Sequence, residues 1–461
     1  MGGTVDLDAI QCVHFVGVAG SGMSGLAQLF LQLGKRVSGC DARPGDAAVA
    51  LAQQGVVVYR EHAAAHVVGA ELVVVSAAVA ADNPDVLAAR ARGIPVVTHA
   101  EVLGALTTRG RGVAIAGTHG KTTTTALVGF LLEQAGYDPT ILAGAPMRNY
   151  GASVRLGRGC HVVVEADEYA GRFLQLRPAI AVVTNMELDH LDCYADWTAL
   201  RAAFAAFVAR LPEDGLLVVC ADDPGASQLT APAQRLTYSL DQRGGWHARA
   251  CRPVPGGMQF VAVSPEGVQA PVFLPLVGRH NVANALAALA VATAEGVPLE
   301  VGAAALAQFR GTERRFQRVG EAAGVTVIDD YAHHPTAVRA TLAAARATHA
   351  GPLWVVFQPH TRHRTAYLLQ EFAAALGQAD AVVVTAIYEP LGRDREAPAV
   401  SGADLAARIV GPPAVYVPAL EDAAAYLAAR VPPGALVLTM GAGDVQRVGP
   451  LLLARLAEAA R

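Results

Sequence analysis

The chain has 461 residues, 53% apolar and 16% charged, with a net charge of −4. That length suits about three domains, and the composition excludes a disordered polymer. With no basic run and no apolar stretch near the ~20 residues of a membrane helix, a nucleic-acid-binding surface and membrane insertion are not expected. The opening MGGTVDLDAIQ lacks the layout of an export signal. Cys12, Cys40, Cys160, Cys193, Cys220 and Cys251 form no CxxC pair. They read as small buried residues of a reducing compartment, not a disulfide frame or a zinc site. The expectation is a soluble, cytoplasmic protein.

Short β-like runs alternate with alanine-rich helical stretches, the pattern of α/β folds with parallel sheets. Residues 1–108 open with the strand-like VHFVGVAG and the helix-like MSGLAQLFLQLG. Between them Gly20-Ser21-Gly22-Met23-Ser24-Gly25 matches GxGxxG, and Asp41 ends the next strand. Such glycines let a diphosphate approach the backbone, and such an acid bonds a ribose hydroxyl. A nicotinamide dinucleotide and a UDP-sugar both carry those groups, so an NAD-dependent oxidoreductase stays open here. The polar TTRGRG at 107–112 reads as a linker.

Residues 109–318 begin with the apolar GVAIAG and then GTHGKTTTT. The loop ends in Gly120-Lys121-Thr122 like a phosphate loop, although Ile115 stands where the usual spacing wants glycine. Lysine usage argues that the loop works: among 36 basic side chains, Lys35 and Lys121 are the lysines. A compact ammonium at a phosphate is a reason to keep one, because the arginine fork does not substitute freely there. Strand, tight loop and helix start would aim backbone N–H groups at an anion, with Lys121 on the terminal phosphates and the Thr122 hydroxyl on magnesium. Farther on, VVVEADEYAG and VVTNMELDHLDCY put acids at strand ends, where parallel sheets bind ligands. Glu165 is the first magnesium candidate, since magnesium prefers oxygen donors. His190, taken alone, is more simply a hydrogen-bonded structural residue, and Asn281 and Asn284 in GRHNVANALAAL more simply cap a helix. Residues 319–461 hold VTVIDDYAHHP, LWVVFQPH, AVVVTAIY, AVYVP and ALVLTMGAGD, with the rhythm of the first block.

Taken together, VHFVGVAGSGMSGLA, SAAVAADNPD, GTHGKTTTT, VEADEYAGRFLQLRP, VVTNMELDHLDCY, GRHNVANALAA, GTERRFQ, DDYAHHPTAV, FQPHTRHRT and MGAGD run in the order of the Mur ligases, which the chain resembles over nearly its whole length. The resemblance implies three domains: a UDP-binding Rossmann-like domain, a central P-loop ATPase domain and a C-terminal Rossmann-like domain. It implies ATP-dependent joining of L-alanine to UDP-N-acetylmuramate through an acyl phosphate, by a monomer or weak homodimer. Gly117, Thr118, His119, Gly120, Lys121, Thr122 and Thr123 would hold ATP, with Asn281 and Asn284 on the adenine side and Arg315 and Asp330 closing from the domain junction. Thr122, Glu165 and His190 would bind magnesium, against the simpler reading of His190. Gly17, Gly20, Ser21, Gly22, Met23, Ser24, Asp41 and Ser76 would hold the UDP-substrate. Tyr331, His333, His360 and Arg364 would face the alanine and the reacting carboxylate.

Departures from the family pattern are Thr361 where some members carry arginine, the extra Arg362, Ala386 in place of an acid, and a longer AIYEPLGRDREAPAVSG segment. Sister ligases hold a second magnesium with a carbamylated lysine; only Lys35 could serve, in the wrong domain. Three rivals remain: a recycling ligase adding a tripeptide, a nicotinamide oxidoreductase that leaves Lys121, Glu165 and Asn284 idle, and a simple P-loop NTPase that leaves the first block idle.

Overall fold

The computed structural model describes residues 6–390 and 398–459. Its first sheet has five parallel strands in the order Val57–Tyr59, Arg36–Cys40, Cys12–Val16, Leu72–Val75, Val96–Thr98. The central CVHFV strand is buried along its whole length, as a parallel strand covered on both faces must be. Strand order reverses around it, so the glycine loop at its end opens into the crevice where such sheets bind ligands.

The second sheet has ten strands. Seven run parallel, in the order Trp246–Val254, Gln234–Ser239, Leu216–Cys220, Ile180–Val183, Arg111–Ala116, His161–Glu165, Thr140–Met147. Antiparallel strands extend it on one side through Gly257–Val263 and on the other through Ala152–Arg155. Helices Lys121–Gln134 and Arg279–Ala294 pack against each other on this sheet and are buried nearly all round. An all-apolar helix has no outward polar face, which is why neither shows a helical period in sequence.

The third sheet runs Gln317–Ala322, Val325–Asp330, Leu436–Met440, Leu353–Phe357, Ala381–Val384, Ala414–Tyr416, parallel except for its first strand. The expected α/β architecture of three domains, two of them Rossmann-like, is what the structure has.

Several sequence expectations change. The TTRGRG segment is no extended linker: helix His99–Thr108 runs to Thr108 and the next strand starts at Arg111. The threonine hydroxyls turn back onto helix carbonyls, Thr107 to Gly104 at 2.9 Å and Thr108 to Ala105 at 2.8 Å. Across this short join one apolar core continues, with Phe15, Leu103 and Leu106 meeting Phe173, Phe204 and Phe207. Cys160 and Cys193 are exposed, contrary to the reading of all cysteines as buried. Part of the long AIYEPLGRDREAPAVSG segment, 391–397, lies outside the described residues.

Candidate functional site

The loop after strand Arg111–Ala116 is built by two glycines with positive φ, Gly117 at 130° and Gly120 at 82°. A side chain is excluded at both: a Cβ would lie 2.0 Å from Thr184 Oγ1 at Gly117 and 2.6 Å from Asn284 Oδ1 at Gly120. Asn284 therefore packs on the loop, and its amide donates to Asn281 at 3.2 Å, while Asn281 donates to the Val277 carbonyl at 2.8 Å. Neither asparagine caps the helix, whose N-cap is Gly278. The Thr118 hydroxyl donates to the Glu187 carbonyl at 3.1 Å and the His119 amide donates to Asn185 at 2.8 Å. Thr122 and Thr123 are buried at the helix start.

Lys121 folds back over this loop. Its ammonium donates to the Gly117 carbonyl at 2.6 Å and to Glu168 at 2.8 and 3.1 Å. Burial works against its charge, but Glu168, Asp167 and Glu165 outweigh it and hold the amine above its usual pKa. Glu168 lies 3.4 Å from His190 Nε2. Asp167, Glu168 and His190 bring donor atoms within 4.8 Å of one another. His190 adopts a left-handed φ of 56°, a conformation that costs about 1–3 kcal/mol and clusters at functional sites. Glu165 instead accepts from the Gly144 amide at 2.8 Å, and Thr122 Oγ1 accepts from Arg315 at 3.3 Å. The expected trio Thr122, Glu165 and His190 thus surrounds the loop without forming one cluster. The compact donor set uses Asp167 and Glu168, which the first-after-the-strand argument for Glu165 passed over.

The C-terminal domain docks on these same elements. Arg364 forms a fork with Asp189, at 2.9 Å from Nε and 2.8 and 2.9 Å from Nη2, and its Nη1 meets His360 at 3.1 Å. Arg364, expected to face the alanine and the reacting carboxylate, is engaged here with a protein carboxylate. Burial alone would raise the Asp189 pKa, but the Arg364 charge, with His190 and His333, holds it well below the carboxylate range. Glu187 accepts from Thr336 at 2.7 Å and pairs with His119 at 2.8 Å; against the pull of burial these partners hold its pKa at about 2. Asp330 accepts the Phe316 and Ala332 amides at 2.7 and 2.8 Å and so fixes the GTERRFQ junction, where Arg314 and Phe316 have positive φ. Sequence reasoning chose Arg315 there and missed Arg314, which ties Asp329 to the Gly441 and Gly443 carbonyls. The His333 Nδ1 lies 2.8 Å from the Tyr331 carbonyl, which can only accept, so Nδ1 carries the proton and Nε2 the lone pair.

In the first domain, Gly17 has φ 80° and a Cβ there would lie 2.9 Å from Ser76 Cβ, bringing that serine to the loop. Gly20 caps the helix that carries Met23 and Ser24, Met23 being buried. Gly22 lies under His99, whose Nε2 would sit 2.9 Å from an added Cβ. Asp41 accepts the Ala19 amide at 2.9 Å and the Arg43 amide at 2.9 Å. It shapes the glycine loop, a task GxGxxG spacing does not reveal.

Comparisons agree with this geometry domain by domain. Residues 12–111 match the model of the Mur ligase family catalytic domain, 115–292 the Mur ligase middle domain and 314–443 the Mur ligase glutamate ligase domain. A UDP-N-acetylmuramate–L-alanine ligase of Pelotomaculum thermopropionicum is 42% identical over 98% of this chain and 99% of its own. The crystal structure of a UDP-N-acetylmuramate–alanine ligase from Thermotoga maritima covers 97% of the chain and 99% of its own, with 28% identity and a TM-score of 0.83. A murein peptide ligase from Psychrobacter arcticus, the rival class, gives 27% identity and a TM-score of 0.72 over 97% of this chain and 99% of its own. The chain belongs to the Mur ligase family, in its branch of UDP-N-acetylmuramate–L-alanine ligases.

Proposed function

We propose that the chain joins L-alanine to the lactyl carboxylate of UDP-N-acetylmuramate, using ATP, with ADP and phosphate as by-products. A lactyl carboxylate oxygen attacks the γ-phosphorus and ADP leaves. The alanine nitrogen attacks the resulting acyl carbon, and the tetrahedral intermediate expels phosphate. The observation that carries the reading is Lys121, held in a nest of carboxylates next to Thr122, which Arg315 of the domain junction contacts. Carboxylate and triphosphate repel, so cationic groups have to lie between them.

In this proposal Lys121 and the Gly117–Thr123 loop hold the phosphates, Asn281 and Asn284 the adenine side, and Arg315 and Asp330 close from the junction. Magnesium would be held by Thr122, Glu165 and His190. Two further carboxylates within 4.8 Å of His190, Asp167 and Glu168, make the donor chemistry suitable for that hard cation. When bound, the ion screens charge between the two anions. The unprotonated Nε2 of His333 stands available for the alanine ammonium proton, while His360 and Arg364 frame that side. Gly17, Gly20, Ser21, Gly22, Met23, Ser24, Asp41 and Ser76 take the UDP-substrate. Docking of the third domain excludes water from the acyl phosphate. Among the described residues no helix is long and apolar enough to cross a membrane. ATP and UDP-linked substrates suit a cytoplasmic enzyme, which the proposal takes to be a monomer or weak homodimer.

The test is phosphate release from ATP with each amino acid and with L-alanyl tripeptide, with and without UDP-N-acetylmuramate. Release only when L-alanine and the UDP-sugar are both present supports the reading; a preference for tripeptide means the recycling reaction.

A further inference from the structure

Beneath the glycine loop of the first domain lies a group of side chains that the ligation chemistry does not use. His14 comes from the central strand, Cys40 from the end of the next, His62 and His66 from the turn that follows Tyr59, and Asp85 from the start of helix Pro84–Ala91. His14, Cys40 and Asp85 are buried, with zero exposure for all three. Asp85 Oδ1 lies 3.1 Å from His66 Nδ1 and 3.4 Å from His14 Nε2. Cys40 Sγ lies 3.6 Å from His14 Nε2. All four donor atoms fall within 4.8 Å of one another.

We infer that His14, Cys40, His66 and Asp85 form a structural site for a zinc-class divalent ion beneath the UDP-binding loop. Ligand atoms at the 2.0–2.3 Å of tetrahedral zinc stand about 3.3–3.8 Å apart, and the separations of 3.1, 3.4 and 3.6 Å overlap that range. The donor chemistry fits: thiolate and imidazole with one carboxylate select zinc over magnesium or calcium. The outer partners fit as well. His14 Nδ1 is 2.9 Å from Ser38 Oγ, so an Nδ1–H donating there turns the Nε2 lone pair toward the cluster. The His66 ring stacks on Tyr59 at 3.9 Å between centroids, which fixes its plane. His62 Nδ1 stands 3.2 Å from Cys40 Sγ and 3.4 Å from Asp85 Oδ2, placed to steady both ligands from outside.

A second observation points the same way. Asp85 Oδ2 is buried and makes no hydrogen bond. The side chains around this carboxylate are His14, His62, His66 and Cys40, none permanently cationic. A buried carboxylate without a cation is costly, and a divalent ion would provide the missing charge. The position also gives the ion a task. The Cys40 carbonyl accepts the Gly17 and Val18 amides at 2.8 and 3.2 Å, and Cys40 adjoins Asp41, whose carboxylate holds Ala19. An ion clamping Cys40 would therefore brace the loop that receives the UDP-substrate.

The experiment uses the full chain, stripped with a chelator and reloaded with Zn²⁺ or Co²⁺ alone. About one tightly held ion per chain is expected by elemental analysis, and cobalt should give a near-ultraviolet thiolate charge-transfer band with tetrahedral visible bands. Cys40→Ser should abolish the thiolate band, and His66→Ala, on a partly accessible turn, should remove the ion. His62→Ala should weaken binding about tenfold or more. The Glu165→Gln/His190→Ala double variant should keep the ion and its spectrum. A wild-type chain with no thiolate band overturns the site, as does loss of the ion in the double variant with retention in His66→Ala. Should Cys40→Ser and His66→Ala both fail to fold, the wild-type cobalt spectrum alone decides.

Discussion

Replacing Asp189 by asparagine keeps the side-chain shape and removes one charge from the contact that ties the middle domain to the C-terminal domain. Both partners are 8% exposed and share three N–O contacts of 2.8–2.9 Å. Removing one member of a buried pair costs about 3–5 kcal/mol, because the other charge stays buried and unpaired. The chain can escape that cost by letting the C-terminal domain move away, so the lower figure translates into roughly 150-fold less of the docked form. In the proposed mechanism activity needs that form, since Arg315 contacts Thr122 across the same junction. We expect kcat/KM to fall by at least tenfold, a loss of about 1.4 kcal/mol, and small-angle scattering to show a larger radius of gyration. The Asp189→Asn/Arg364→Met double variant should lose less than the sum of the single changes, by about 0.5–3 kcal/mol of coupling. Because the Arg364 charge holds Asp189 ionised well below the carboxylate range, the defect should not vary between pH 6 and 9. Single variants within twofold of wild type, with no coupling between them, would refute the argument that this pair sets domain docking.

Lys121→Arg should reduce kcat by more than tenfold although charge is kept, because the ammonium reaches the Gly117 carbonyl at 2.6 Å, too close for a guanidinium fork; steady-state kinetics checks it. Asp41→Ala should raise KM for UDP-N-acetylmuramate by an amount worth about 1.5–3 kcal/mol and leave KM for ATP nearly unchanged, the two constants being measured side by side. Lys35 donates to the Asp8 carbonyl at 2.9 Å, far along the chain from the acidic cluster, so Lys35→Arg and removal of bicarbonate should each leave the rate unchanged in carbon-dioxide-free buffer. Burial and the charge of His119 push the His334 pKa down to about 4. The unfolded or undocked histidine takes its proton first, near 6.5, so this contribution to stability is full above that value and is lost as pH falls toward 4. His334→Asn should flatten the fall in melting temperature over that window, in which Glu187, at about 2, stays ionised.

Strand runs and glycine punctuation carried the fold, because buried parallel strands are continuous apolar stretches and survive an alanine-rich background. The helices Lys121–Gln134 and Arg279–Ala294 were legible from their flanks alone, since burial on all sides erases the amphipathic period. At the site, the loop residues and Lys121 could be placed from spacing and lysine scarcity. Choosing among Glu165, Asp167 and Glu168 could not be done that way. The strand ends at Glu165, and Glu168 three residues on is already helical (φ −72°, ψ −20°) and reaches Lys121, while Glu165 stays on the Gly144 amide. The pairing of Arg364 with Asp189 was not legible, because Asp189 is distant in sequence and approaches only through domain docking. The first-domain cluster was hidden for the same reason: its ligands come one at a time from separate strands, a turn and a helix.

In the proposed reading, the charges around Lys121 tie nucleotide binding to both a cation and a docked third domain. Glu165, Asp167 and Glu168 all bear on this ammonium, and Arg172 pairs with Asp167 at 2.9 Å. Two cations face three carboxylates, so the loop is net negative before any triphosphate arrives. Helix N–H groups alone contribute roughly half a charge, too little to offset that excess and the phosphates together. A divalent ion between the carboxylates and the nucleotide changes the balance, and the compact Asp167, Glu168 and His190 donors offer it a seat. Arg315 brings the remaining positive charge to Thr122 from the far side of the junction. In the proposed reading, that charge reaches the phosphates while the third domain is docked through Arg364–Asp189 and Thr336–Glu187. An undocked chain would therefore bind the triphosphate with less transition-state stabilisation, which protects ATP from hydrolysis until the sugar carboxylate and the third domain are both in place.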